Sequence, residues 1–201
     1  MRYLVRVRRA ESLDIPAVIG LAREKLADCD LPRHENYRVS SSAVEFDLFE
    51  AFPERLDEDI RAISSALGPV ESVRNLSASE PARDIVACLD LAQRMYSEER
   101  YWEMHEELES QWRMLPRGSP EKEVLQGLIL LAAIYVHMQK GQEEVALSMV
   151  GRANARLGGY GGMEYHGIDI GALRAALEDM SNGGRVRFID LPRSAGRPAE
   201  A

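Results

Sequence analysis

Apolar and polar residues alternate with a period of two in three segments of the first 77 residues. These segments span 3–8, 37–49 and 70–76. Because successive side chains of a β-strand point to opposite faces, the alternation predicts strands with one buried face. The middle segment contains three serines at 40–42, so it is either a hairpin of two strands or one long bent strand.

Two further segments of this region space their apolar residues three and four positions apart, which is typical of a helix with one buried face. They span 14–27 and 53–67, and Gly68 with Pro69 ends the second. The order of elements is then β-α-β-β-α-β, the arrangement of a ferredoxin-like domain. If 37–49 forms one strand, the sheet has three strands instead of four.

A small polar connector at 77–81 precedes a region in which the alternation disappears. The apolar spacing there predicts five helices, at 81–97, 98–115, 120–140, 142–157 and 168–181. Their short connections favour an antiparallel bundle. The predicted fold class is therefore α+β. It comprises a ferredoxin-like α/β domain at 1–77, an all-α bundle of about five helices at 81–184, and an extended C-terminal tail at 185–201.

The 201 residues carry 25 Lys and Arg against 33 Asp and Glu, a formal net charge of −8. This balance disfavours duplex DNA as a partner, because such binding depends on neutralising phosphates. A local basic cluster lies on the first predicted strand and comprises Arg2, Arg6, Arg8 and Arg9. It either contacts single-stranded RNA or forms the solvated side of an edge strand.

The two cysteines, Cys29 and Cys88, lie far apart and form neither a disulfide framework nor a zinc knuckle. Charged residues interrupt every apolar run at the N-terminus, so no signal peptide is expected. The longest apolar stretch, 124–138, has about 15 residues and falls short of the ~20 needed to cross a bilayer. We therefore expect a cytoplasmic protein with no membrane partner.

The densest polar cluster falls on the second predicted bundle helix. Its members are Trp102, Glu103, His105, Glu106, Glu109 and Trp112. His105 and Glu109 lie one turn apart, a spacing at which an imidazole and a carboxylate can share one metal ion or one proton. Glu106 can serve as a third ligand or as a base. Alternatively, the acids form a solvated face, and Glu109 holds a half-buried His105.

The third predicted bundle helix adds Gln126 and His137, three turns apart on one stripe. At 1.5 Å per residue they are separated by about 16 Å, so they cannot both bind one ion. A crossing helix can bring either of them to His105. Gly127 is expected to let another helix approach closely. The glycine run at 158–162 lacks the Lys and Ser/Thr of a phosphate-binding loop, and no nucleotide cofactor is expected.

Two motifs on these helices, in this order, resemble a known family. The first comprises Trp102, Glu103, His105, Glu106, Leu108, Glu109 and Trp112, and the second Gln126, Gly127, Leu128, Ile129, Ala132, Ala133 and His137. With a weaker third block at 146–169, they resemble the domain of unknown function 309, whose members are sometimes described as predicted metal-dependent hydrolases. The resemblance covers residues 81–180 and implies a compact helical domain with a polar cluster between helices. The chain departs from the family pattern at Leu130, where a second glutamine is expected, and at Gln142, where asparagine is commoner.

The leading hypothesis is a metal-dependent hydrolase-like site between bundle helices, holding one divalent metal ion. The expected metal ligands are His105, Glu109 and His137, and the expected catalytic residues are Glu106 and Glu103. The other members of the polar cluster are Gln126, Trp102 and Trp112. One alternative is a non-enzymatic binding or assembly module whose cluster is a structural buried polar network. A second is single-stranded RNA binding through the N-terminal sheet. The expected partner is a small molecule or a protein, including a second copy of the chain.

Overall fold

The structure is a computed structural model that describes residues 1–9, 14–78 and 83–192. The chain divides into two compact units, Met1–Pro81 with Gln139–Gly141, and Ala82–Met138 with Gln142–Ala201. The predicted connector at 79–81 and the part of the predicted tail beyond residue 192 lie outside the described residues.

The described residues of the first unit form strands and helices in the predicted order. They are β1 (Tyr3–Arg8), α1 (Ile15–Ala27), β2 (His34–Val39), β3 (Ala43–Leu48), α2 (Leu56–Leu67) and β4 (Val70–Asn75), with a short 3-10 turn at Pro53–Arg55 before α2. The strands form one antiparallel sheet in the order β2-β3-β1-β4.

The segment 37–49 is a hairpin, so the alternative of a single bent strand is wrong. Ser40 closes the turn between β2 and β3. Its amide donates to the Ala43 carbonyl at 2.9 Å, and its hydroxyl oxygen accepts from the Ala43 amide at 3.0 Å. A serine at this position reproduces a backbone turn with its own side chain, which explains why the polar break reverses the chain.

The two faces of the sheet differ in chemistry. One face forms the apolar core of the unit, built from residues such as Val5, Val7, Phe46, Leu26 and Ile63. The opposite face carries charged side chains that are nevertheless buried, among them Arg38, Glu45 and Asp47. The alternative that the arginine cluster lines a solvated edge strand is therefore wrong, because β1 lies between β3 and β4 in the sheet.

The described residues of the second unit form the five helices that the apolar spacing predicts. They are α3 (Ile85–Ser97), α4 (Tyr101–Met114), α5 (Pro120–Gln139), α6 (Glu143–Tyr160) and α7 (Ile170–Gly183). A hairpin of two-residue strands, β5 (Glu164–Tyr165) and β6 (Ile168–Asp169), precedes α7 and was not predicted. No helix in the described part of the chain combines the length and apolarity needed to span a bilayer.

Helix α5 supplies much of the core of the second unit. Nearly every residue in 124–136 is buried. Gly127 allows α6 to approach, because a Cβ at this position would lie 2.5 Å from Cδ2 of Leu157 and 3.2 Å from its backbone nitrogen. The prediction that Gly127 serves close helix packing is confirmed.

Candidate functional site

A short turn at 98–100 joins α3 to α4 and fixes the first charged pair of the cluster. The Arg100 amide donates to the Met95 carbonyl at 2.8 Å, which closes the end of α3. From this position Nε of Arg100 donates to Oε2 of Glu103 at 2.5 Å and Nη2 to Oε1 at 2.7 Å. Hydrogen bonding to Glu103 raises the pKa of Arg100. Glu103 is only 3% exposed, so a buried carboxylate is neutralised by a bidentate guanidinium.

A second buried acid, Glu107, follows one turn later on α4. Nη1 of Arg83 donates to its two carboxylate oxygens at 3.2 and 2.9 Å. Gln111, one further turn along, donates from Nε2 to the Arg83 carbonyl at 2.6 Å. These contacts attach α4 to the segment that precedes α3. The alternative that these acids form a solvated face is wrong for Glu103 and Glu107, which are both buried. Gln111 was not predicted, although steps of four from Glu103 to Glu107 and from Glu107 to Gln111 mark one helix face.

The helical phase of α4 determines which polar residues face the core. At about 100° per residue, Glu103 and Glu107 each lie roughly 160° round the helix from His105. The two buried acids therefore project from nearly the opposite side of α4. The expectation that His105 points inward together with Glu103 does not hold, because Glu103 is buried and His105 lies on a half-buried stripe.

The half-buried stripe of α4 makes local contacts. The His105 ring stacks on Trp102 with centroids 5.7 Å apart and an interplanar angle of 3°. Glu109 pairs through Oε1 with Nη2 of Arg113 at 3.0 Å, four residues later on the same helix. Within the described part of the chain, His105 and Glu109 share no hydrogen bond, and Glu106 has no hydrogen bond or ion pair. The predicted pairing of His105 with Glu109 is replaced by the Arg113 contact.

The remaining predicted residues also lie in separate environments. Nδ1 of His137 and Oε1 of Gln142 are 2.7 Å apart in a hydrogen bond at the end of α5. Nζ of Lys122 lies 4.3 Å from the centre of the Trp112 ring, a cation–π contact. Gln126 is half-buried and makes no hydrogen bond to the residues described.

The predicted metal ligands are thus not assembled into one centre. Glu109 contacts an arginine, His137 contacts Gln142, and His105 stacks on Trp102. Among the residues that the structure describes, no three His, Cys, Asp or Glu side chains form a group that could hold a metal ion. Three acids of α4 instead pair with arginines at charge-assisted distances, namely Glu103 with Arg100, Glu107 with Arg83 and Glu109 with Arg113.

A cleft of about 520 Å³ opens between α3, the turn before α4 and the C-terminal segment 188–191. Its lining includes Arg94, Tyr96, Glu99, Tyr101, Phe188 and Asp190. Tyr101 is 4% exposed, and its hydroxyl makes no hydrogen bond to any described residue. This cleft was not predicted, because Phe188 and Asp190 fall in the predicted tail and no local pattern marks them as partners of α3 and α4.

Two buried tyrosines hold the C-terminal segment against the bundle. Tyr96 donates its hydroxyl to the Ile189 carbonyl at 2.6 Å. The Tyr135 hydroxyl donates to the Arg187 carbonyl at 3.2 Å and accepts from the Ile189 amide at 3.3 Å. Phe188 stacks on Tyr135 with ring centroids 5.1 Å apart. Burial raises the pKa of both tyrosines, so their hydroxyls remain protonated donors at neutral pH.

Three arginines of the predicted basic cluster, Arg2, Arg6 and Arg8, are paired with acids of the same sheet, and Nη1 of Arg9 donates to the Ser40 carbonyl at 3.1 Å. Nη2 of Arg2 and Nη2 of Arg38 contact the two carboxylate oxygens of Asp47 at 2.7 and 2.9 Å. Nη1 of Arg6 contacts Oε1 of Glu45 at 2.5 Å. These guanidinium charges are neutralised within the first unit, which weighs against RNA binding by the same side chains.

Comparison with known proteins identifies one family. Residues 89–149 match the family described as domain of unknown function (DUF309). The matched segment runs from α3 into α6 and contains both motifs on which the resemblance was based. The resemblance is confirmed over this span, which is shorter than the 81–180 expected. Neither the curated proteins nor the solved structures that were compared give a match to the chain.

Proposed function

We propose that this chain, whose residues 89–149 match DUF309, is a non-enzymatic binding module in which the polar cluster of α4 is a structural network. The observation that carries the proposal is the pairing of two buried acids with arginines: Glu103 with two nitrogens of Arg100, and Glu107 through both oxygens with Nη1 of Arg83. A buried carboxylate whose oxygens already accept hydrogen bonds from a guanidinium is not positioned to take a proton from water or a substrate. Its role is then to fix the position of α4 relative to the segments before it.

A metal-dependent hydrolase has different requirements. Three side chains must converge on one ion and leave an open position for water or substrate. In this bundle Glu109 and His137 contact different partners, and Glu103 projects from the side of α4 opposite to His105. Glu106, the base suggested by the sequence, makes no hydrogen bond to the described residues. These contacts favour the structural network over the metal site.

The proposal also assigns a fold to the first unit. We infer that it is a ferredoxin-like domain, on the strength of its β-α-β-β-α-β order and its strand order β2-β3-β1-β4. Both cysteines are free thiols, which supports a reducing, cytoplasmic environment.

Elemental analysis of the full chain tests the proposal against the metal site. The protein is purified without chelators, incubated with Zn²⁺ or Mn²⁺ and dialysed. We expect no divalent metal in stoichiometric amount, and the same trace content in wild type and in His105→Ala. The proposal would be overturned if about one ion per chain is retained on dialysis and is lost in both His105→Ala and Glu109→Ala. Circular dichroism must show that both variants keep an intact fold.

A further inference from the structure

We propose that the cleft between α3, the turn before α4 and the segment 188–191 binds a small organic cation, a primary ammonium or guanidinium group on an apolar stem. This inference rests on the proposed function and deepens it by naming the ligand class. The site lies wholly within the second unit and uses none of the acids of the α4 network.

Aromatic rings form the walls of this site. Phe188 is 53% exposed although its ring stacks on Tyr135, and it lies 6.1 Å from the Tyr101 ring at an interplanar angle of 16°. An exposed aromatic ring beside a cleft offers its electron-rich face to a ligand. Cations bind such faces, and the attraction grows when the site is partly desolvated. The walls therefore suit an apolar stem that carries a positive charge.

The charged groups that line the cleft are two carboxylates, Glu99 and Asp190, and one guanidinium, Arg94. Asp190 forms no ion pair within the described part of the chain, so its carboxylate is available to a ligand. Burial raises the pKa of Tyr101, and so do Glu99, Tyr135 and Asp190, which indicates that both carboxylates act on the Tyr101 hydroxyl. A cation placed there meets favourable charge.

The Tyr101 hydroxyl supplies an independent pointer to a ligand. The hydroxyls of the neighbouring Tyr96 and Tyr135 bind the backbone of the C-terminal segment, whereas that of Tyr101 binds none of the described residues. The Tyr101 oxygen is not one of the fully buried polar atoms that lack a partner, so it keeps access to solvent and a ligand in the cleft can reach it. An ammonium or guanidinium N–H would donate to the Tyr101 oxygen while its charge faces Asp190.

The size of the cleft agrees with this class of ligand. Its volume of about 520 Å³ lies within the range of roughly 300–1,000 Å³ that small-molecule sites occupy. A free amine with an aryl or alkyl body fits that volume, and so does the basic side chain of a peptide. Both present the same chemistry to Tyr101 and Asp190.

Titration calorimetry with three isosteric probes tests the charge preference. The full chain is titrated with 2-phenylethylamine, 2-phenylethanol and phenylacetate at pH 7. We expect the amine to bind roughly tenfold or more tightly than the alcohol, and the carboxylate to bind more weakly still. No binding of the amine, or tighter binding of phenylacetate that Arg94→Gln abolishes, would overturn the inference.

Three variants test which side chains of the cleft contribute to amine binding. Asp190→Asn and Tyr101→Phe should each weaken amine binding by roughly tenfold, whereas Arg94→Gln should leave it unchanged or tighten it. Since the Tyr101 hydroxyl has no described partner, Tyr101→Phe should keep the wild-type melting temperature, so that a loss of binding is not a loss of fold. Unchanged binding in both Asp190→Asn and Tyr101→Phe contradicts the site.

A further comparison distinguishes the two sources of the cation, a small molecule and the basic side chain of a peptide. The amine is compared with N-acetyl-lysine amide and with a neutral heptapeptide carrying one central lysine. Tighter binding of the peptide identifies a basic side chain as the ligand, and tighter binding of the free amine identifies a small molecule. If none of the cations binds while elemental analysis finds no metal, the cleft inference fails and the proposed function stands. If metal is instead bound at His105 and Glu109, the proposed function fails.

Discussion

The Glu103 carboxylate accepts two hydrogen bonds from the Arg100 guanidinium across the first turn of α4. The Arg100 side chain is 30% exposed and that of Glu103 only 4%, so the pair lies where the core meets solvent. Nη1 of Arg100 also donates to Oε2 of Glu98 at 2.7 Å. Loss of Glu103 therefore leaves Arg100 with a second acid, whereas loss of Arg100 removes two hydrogen bonds from a buried carboxylate, which costs more. Arg100 also ends the turn whose Glu99 lines the cleft.

The stability of the first unit should fall in acid because of Asp47. Burial acts to raise the pKa of Asp47, but the charge of Arg38 and hydrogen bonds from Asn36, Arg2 and Arg38 lower it overall. The native state therefore binds this proton less tightly than the unfolded chain. The stabilisation is present above the ordinary value near 3.8 and is lost as pH falls through the folded value. Urea unfolding between pH 7 and pH 3 measures this loss.

Asp47→Asn is the matched control for that titration. At pH 7 it should lower the free energy of unfolding by about 1–3 kcal/mol, since the buried Arg38 loses the charge of Asp47 and keeps that of Glu45 at 3.7 Å. The difference between wild type and Asp47→Asn should shrink as the pH is lowered. A difference that is constant from pH 7 to pH 3 would show that Asp47 does not cause the acid dependence.

Gly127→Ala should destabilise the second unit. The new Cβ would meet the Leu157 side chain at 2.5 Å, so α5 and α6 must separate or repack. Overpacking of this kind lowers the free energy of unfolding by about 1–3 kcal/mol. Gly151→Ala is the control, because a Cβ there meets no atom within 4 Å and alanine favours a helix. Equal effects of the two substitutions on urea unfolding would contradict the close approach of the helices.

The two cysteines should differ in reactivity. Cys88 is fully buried, and burial, with a contribution from Glu107, raises the pKa of its thiol to about 12. Cys29 is half-buried. With a chromogenic disulfide reagent at pH 8, one thiol per chain should react in the native state and the second only after unfolding. Rapid modification of the native Cys29→Ser variant would show that Cys88 is accessible.

Much of the fold could be predicted from local pattern. The alternation in β1 and the three-and-four spacing of α4 depend on neighbouring residues alone, so element type and order follow from the sequence. The burial of Arg38 and Asp47 could not be predicted in this way. It depends on which strands pair, and residues nine apart in the chain become partners across the β2–β3 hairpin.

The candidate site was less predictable for the same reason. The sequence places His105 and Glu109 one turn apart, but it does not show that Arg113 competes for Glu109 or that the core lies on the side of Glu103. Phe188 reaches Tyr101 from 87 residues away along the chain, through the packing of a segment without regular secondary structure. Contacts of this kind depend on tertiary structure and have no local signature.

The most direct test of the structural role of the α4 network compares Glu103→Ala with Glu106→Ala in urea unfolding at pH 7. Both remove a carboxylate from the same helix, but only Glu103 is buried and paired with Arg100. We expect Glu103→Ala to lower the free energy of unfolding by about 1–3 kcal/mol, because Arg100 loses two charge-assisted hydrogen bonds but keeps its contact with Glu98. Glu106→Ala should change it by less than about 0.5 kcal/mol. Losses of equal size, or a Glu103→Ala variant as stable as wild type, would contradict a structural role for this carboxylate.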